Sequence, residues 1–66
     1  MRLTVNGEYR TVDDAVSVAD LIAQVTTQAK GIAVAVNGAV VPRSAWQYRP
    51  LSDGDAIEVL TAVQGG

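Results

Sequence analysis

Ser17-Val18-Ala19-Asp20-Leu21-Ile22-Ala23-Gln24-Val25 decides the fold, because it carries the chain's one clear helical repeat. Val18, Leu21, Ile22 and Val25 stand at i, i+3, i+4 and i+7, so four apolar side chains share one stripe. Ser17 is a residue type whose hydroxyl accepts from the orphan N–H groups of a first helical turn. Asp20, three residues on, resembles the acidic half of a capping box and suits the positive end of the helix dipole. The β-branched pair Thr26-Thr27 weakens the helix, and Gly31 suits a chain reversal. The spacing therefore predicts a helix from Val18 to about Gln28.

Strand patterns lie on both sides of this helix. Upstream, Leu3 and Val5 alternate with Arg2 and Thr4, Asn6-Gly7 marks a tight hairpin, and Glu8 to Val12 returns antiparallel until Asp13-Asp14. Downstream, Ile32-Ala33-Val34-Ala35-Val36 is apolar at every position, which predicts a central strand covered on both faces. A second Asn-Gly, Asn37-Gly38, leads to the short strand Ala39-Val40-Val41, and Pro42 ends its ladder. Ser44 to Tyr48 fits one helical turn capped by Ser44, and Pro50 with Ser52-Asp53-Gly54-Asp55 marks further turns. Ala56 to Thr61 reads as the last strand and 62–66 as a flexible tail. Hairpin, helix, hairpin and late strand make an α+β fold. One helix packs on one face of a mixed four- to five-stranded sheet, a β-grasp with the first and last strands parallel at its centre.

Size and composition narrow the chemistry. With 66 residues, 48% of them hydrophobic and 18% charged, the chain is expected to form a single domain, body 1–61 and tail 62–66. It has no Cys and no His, so disulfides, thiolate metal sites, thiol nucleophiles and imidazole bases are all excluded. Independent catalysis is not expected, nor is a bound cofactor or metal. Five basic residues are dispersed among seven acidic ones, which argues against a nucleic-acid partner. No apolar run approaches the ~20 residues of a membrane span, and the opening residues do not read as a signal peptide. A cytoplasmic setting is the expectation.

Chemistry is concentrated at the end of the sequence, Thr61-Ala62-Val63-Gln64-Gly65-Gly66. Glycines there bury no side chain, yet without Cβ atoms they form a thin tether on which another protein's backbone can close. A carboxylate on Gly66 is a poor electrophile. Adenylation converts its oxygen into a leaving group that a thiol or persulfide can displace. On β alternation, Ile57 and Val59 point one way and Glu58 and Leu60 the other. Leu60 either faces a partner beside the tail or packs under the 42–50 loop, and Ala33 and Ala35 join it or sit beneath the helix. Trp46 reads as a loop anchor, and Asp53 and Asp55 read as turn residues. Arg43 fits either a carboxylate partner or solvent, and Lys30 has no neighbourhood supporting a reactive amine.

These segments together resemble the ubiquitin-like sulfur carrier family of thiamine biosynthesis, ThiS. The resemblance rests on Val36-Asn37-Gly38, Val40-Val41-Pro42-Arg43-Ser44 with Trp46, Asp53-Gly54-Asp55, Ile57-Glu58-Val59 and the terminal run Thr61 to Gly66. Asn6-Gly7 and Val18-Ala19-Asp20-Leu21 also fit, so it spans nearly the whole chain. Ala39 departs from it, since many relatives carry an acid there. Read from the residues themselves, Gly65, Gln64 and Val63 are expected to thread a partner's active site, and Leu60 and Ala62 are candidates for docking. The resemblance implies that Gly66 carries the sulfur, with Gly65 as steric clearance beside it. It implies an E1-like adenylyltransferase of the ThiF type that consumes ATP, a persulfide sulfur donor, and a thiazole synthase of the ThiG type as acceptor. Gly-Gly alone is shared with molybdopterin-synthase small subunits and ubiquitin-like modifiers, which remain as alternatives at this point.

Overall fold

The computed structural model describes residues 1–26 and 31–61. Within them lie β1 (Arg2–Val5), β2 (Glu8–Thr11), α1 (Val18–Val25), β3 (Ile32–Val36), β4 (Ala39–Val41), the 3-10 helix η1 (Arg43–Tyr48) and β5 (Ala56–Thr61). Both hairpins turn as their Asn-Gly pairs predict. Asn6 and Gly7 have φ of 51° and 83°, and Asn37 and Gly38 have 52° and 84°. Two successive left-handed residues match the right-handed twist of the strands they join, and Asn and Gly tolerate that region best.

The five strands form one sheet in the order β2-β1-β5-β3-β4. β5 lies at its centre, parallel to β1 through Thr4↔Ala56 and Val5↔Ile57. It runs antiparallel to β3 from Ile32↔Thr61 to Val36↔Ile57. The first and last strands are thus adjacent and parallel, as the element order predicts.

One face of this sheet carries the core. Leu3, Val34, Val36 and Ile57 pack with Val18, Leu21 and Ile22 of α1, and with Trp46 and Leu51 beyond it. The helix starts as its sequence dictates. The Ser17 hydroxyl accepts from the Asp20 N–H at 3.2 Å, and the Asp20 carboxylate accepts from the Ser17 N–H at 3.0 Å. Trp46 is buried, and its indole Nε1 donates to the Val41 carbonyl at 2.9 Å, which satisfies the ring's one polar atom.

Four expectations are corrected. The helix ends at Val25, because Thr26 is already extended at φ −153° and ψ 149° while its N–H still donates to Ile22; Thr27 and Gln28 lie outside the described residues. β2 stops at Thr11, and Val12 turns inward to the core. The turn after Pro42 begins at Arg43 and has no side-chain cap, so Ser44 does not cap it; the fixed φ of Pro42, −58°, leads into it. β3 is paired on both edges, but the described residues cover it on one face only. Val34 and Val36 are buried, whereas Ala33 is exposed and Ala35 half-buried.

Candidate functional site

The face of the sheet that the helix leaves uncovered among the described residues is the candidate surface, and β5 organises it. Ile57 is 1% exposed on the core side, and Leu60 is 60% exposed on the other. Cross-strand partners project from the same face. The register therefore gathers Leu60 opposite Ala33, Glu58 opposite Ala35, and Ala35 opposite Val40. Val40 is 74% exposed. Leu60, Ala33, Ala35 and Val40 thus form an apolar lane with the carboxylate of Glu58 set into it. The small alanines keep the lane shallow, so a second protein surface can approach the backbone closely. Leu60 does not pack under the 42–50 loop, and the two alanines do not sit beneath the helix.

Across β1, the lane gives way to Thr4 beside Tyr9. The Arg2 guanidinium lies 4.2 Å from the centroid of the exposed Tyr9 ring, so this flank is cationic and aromatic.

β5 is fastened at its first residue, Ala56, and at its fourth, Val59, by asparagine side chains. Asn37 Oδ1 accepts from the Ala56 N–H at 2.9 Å, and its Nδ2 donates to Asp55 Oδ1 at 2.9 Å. Asn6 Oδ1 accepts from the Val59 N–H at 2.8 Å, and its Nδ2 donates to the Val59 carbonyl at 3.2 Å. Sequence reasoning assigns these residues to their turns and misses both fastenings. Asn6 and Val59 are 53 positions apart, so no local pattern reveals the pair.

Elsewhere the polar residues are used by turns. Asp53 accepts from the Arg2 N–H at 2.7 Å, and Asp55 accepts from the Ser52 N–H at 2.8 Å. Among the described residues no group of three or more acidic side chains is placed to hold a metal ion. Arg43 stacks over Trp46, 5.7 Å from its centroid. Hydrogen bonds from the backbone and then the hydroxyl of Ser17 hold the Asp20 carboxyl below the ordinary aspartate range. Lys30, Ala62, Val63, Gln64, Gly65 and Gly66 all lie outside the described residues. No helix among the described residues is long and apolar enough to cross a membrane.

A five-stranded mixed sheet, parallel at its centre and covered on one face by a single helix, defines the ubiquitin-like β-grasp class. The ThiS family model matches residues 3–66, and the chain belongs to that family. A crystal structure of the thiamine biosynthesis protein ThiS from Geobacter metallireducens superposes with a TM-score of 0.87 at 39% identity, over 100% of both chains. A solution structure of a thiamine biosynthesis protein from the same organism gives 0.77 at 40% identity, over 100% of this chain and 88% of the other. The sulfur carrier protein ThiS of Escherichia coli is 34% identical over 50 residues, 76% of each chain. A thiazole synthase of Paramagnetospirillum magneticum is 30% identical over all 66 residues of this chain, which span 20% of that protein's length.

Proposed function

We propose that this chain is the sulfur carrier for formation of the thiazole ring of thiamine, a protein co-substrate rather than an enzyme. The observation that carries the reading is the ThiS family match, which runs through the last residue, Gly66. The similarity to a thiazole synthase over the full length of this chain supports the same pathway and that synthase as the sulfur acceptor.

In this reading residues 1–61 are the folded body and 62–66 the tail. An E1-like adenylyltransferase of the ThiF type docks the body and takes the tail into its active site, with Gly65, Gln64 and Val63 threaded behind the reacting carboxylate. The Gly66 carboxylate attacks the α-phosphorus of ATP and releases pyrophosphate. A persulfide sulfur then attacks the acyl carbon and AMP leaves, giving an acyl disulfide. A second thiol reduces that disulfide and liberates the Gly66 thiocarboxylate. Thiazole synthase of the ThiG type takes the sulfur, and the carboxylate is regenerated. The chain itself binds no cofactor, and ATP is consumed by the activating partner. We place the cycle in the cytoplasm, with neither nucleic acid nor membrane taking part.

The apolar lane is the surface proposed for docking. Leu60, exposed near the end of β5, is the side chain proposed to lead it, and Ala62, outside the described residues, is a further candidate. Small residues at Ala33 and Ala35 favour close approach without ordering long side chains.

Reconstitution tests the assignment. With the activating enzyme, ATP, a persulfide donor and thiazole synthase, thiazole formation is expected to rise with added carrier and to vanish when Gly66 is deleted. Sulfur delivered to molybdopterin synthase but not to thiazole synthase would overturn the pathway. Isopeptide adducts on cellular lysines would favour a modifier.

A further inference from the structure

The strand leading toward the tail is clamped along an edge where β1 has already ended. β1 and β5 are joined by two register pairs, with the Thr4 N–H donating to the Asp55 carbonyl at 3.0 Å and the Asn6 N–H to the Ile57 carbonyl at 2.9 Å. The chain then turns away at Gly7. In a parallel ladder, alternate residues of a strand face the same neighbour, so the next backbone groups on this edge belong to Val59. Both are taken by the Asn6 carboxamide, which accepts from the N–H and donates to the carbonyl. The side chain stands in for a peptide unit that β1 lacks.

Asn37 fastens the same strand at its start, at Ala56. A left-handed turn can be made by Gly as readily as by Asn, so neither turn needs its amide for the sake of its backbone. Asn6 differs from Asn37 in place: it acts beside the end of β5 that runs on to Gly66.

We infer that Asn6 is a positioning residue for the tail, fixing β5 at Val59 and with it the course on which the chain leaves Thr61 toward Gly66. This rests on the sulfur-carrier reading and deepens it. Without the amide, the last residues of β5 are held along one edge, by β3. The productive course then forms a smaller fraction of the ensemble, and apparent affinity for the activating enzyme falls by that fraction. The chemical step after docking does not involve Asn6 and keeps its rate.

Asn6→Gly removes the amide and keeps the left-handed backbone, and Asn37→Gly is the matched control at the other end of the strand. Amide hydrogen exchange at Val59 and steady-state adenylation kinetics are measured on the full chain, below the melting temperatures of all variants. Asn6→Gly is expected to speed exchange at Val59 and to raise KM roughly threefold to tenfold, with kcat within about twofold of wild type. Asn37→Gly is expected to leave both readouts close to wild type. Asn6→Asp sets a carboxylate oxygen against the Val59 carbonyl and is expected to raise KM as Asn6→Gly does, so the result does not hang on one variant. An unchanged KM in both Asn6 variants, or an equal rise in Asn37→Gly, would overturn the inference alone. A wild-type chain that the activating enzyme does not adenylate would overturn the sulfur-carrier reading itself.

Discussion

Ile57 and Leu60 belong to the same central strand, yet one is 1% exposed and the other 60%. The difference extends to the two faces of the whole sheet. On one, Leu3, Val34, Val36 and Ile57 meet an eight-residue helix and the segment around Trp46. On the other, Leu60, Ala33, Ala35 and Val40 have no helix laid over them among the described residues. Among the described residues of this 66-residue chain without Cys, one short α-helix is laid on a five-stranded sheet. Such a chain buries a smaller share of its surface than a larger domain does. The difference is a division of labour: the covered face supplies stability, and the other is the face proposed for docking a second protein.

Substitutions that separate the two faces test this division. Ile57→Ala removes a core side chain and is expected to cost about 2–5 kcal/mol in denaturant unfolding, a large part of what a domain of this size possesses. A loss below about 1 kcal/mol would mean that the covered face is not where stability resides. Leu60→Asp is expected to do the reverse. It should weaken binding to the activating enzyme by about tenfold or more while moving stability by no more than about 0.5 kcal/mol. An unfolded Leu60→Asp would put both faces in the core.

The mildest test concerns the helix that makes one face different from the other. Asp20 has a lowered pKa in the folded state, so folding favours its charged form. Its contribution is therefore complete above the unfolded aspartate value and is lost as pH falls through the lower folded value. Melting curves of wild type and Asp20→Asn are expected to differ at neutral pH and to converge in acid. A gap that stayed constant with pH would remove the capping interaction from the helix's stability.

Much of this arrangement is legible in the sequence because its causes are local. The Asn-Gly pairs set the hairpins, Ser17 and Asp20 set the helix start, and alternation along β5 separates Ile57 from Leu60. The readings that fail depend on distant partners. Ile32 to Val36 looks buried on both faces because alanine counts as apolar. What decides its facing is the register that sets Ala33 against Leu60, and the single helix on the other side. The helix end fails for a related reason: its repeat breaks at Thr26, but propensity does not say where the chain straightens. Asn6 reads as a turn residue because nothing near it in sequence reveals Val59. The residues proposed to carry and thread the sulfur, Val63 to Gly66, are named by resemblance and by the chemistry of a glycyl carboxylate. They lie outside the described residues, and the described fold ends with the strand that leads to them.

A sulfur carrier is defined by where the sulfur is held. With Cys absent, the main-chain carboxyl of Gly66 is the site proposed for it. The direct measurement is the mass of the C-terminal peptide after incubation with ATP, the activating enzyme and a persulfide donor. The expected result is one oxygen exchanged for one sulfur on the peptide ending in Gly66, dependent on ATP and absent when Gly66 is deleted. An unchanged C-terminal mass under conditions in which a known carrier is converted would contradict it.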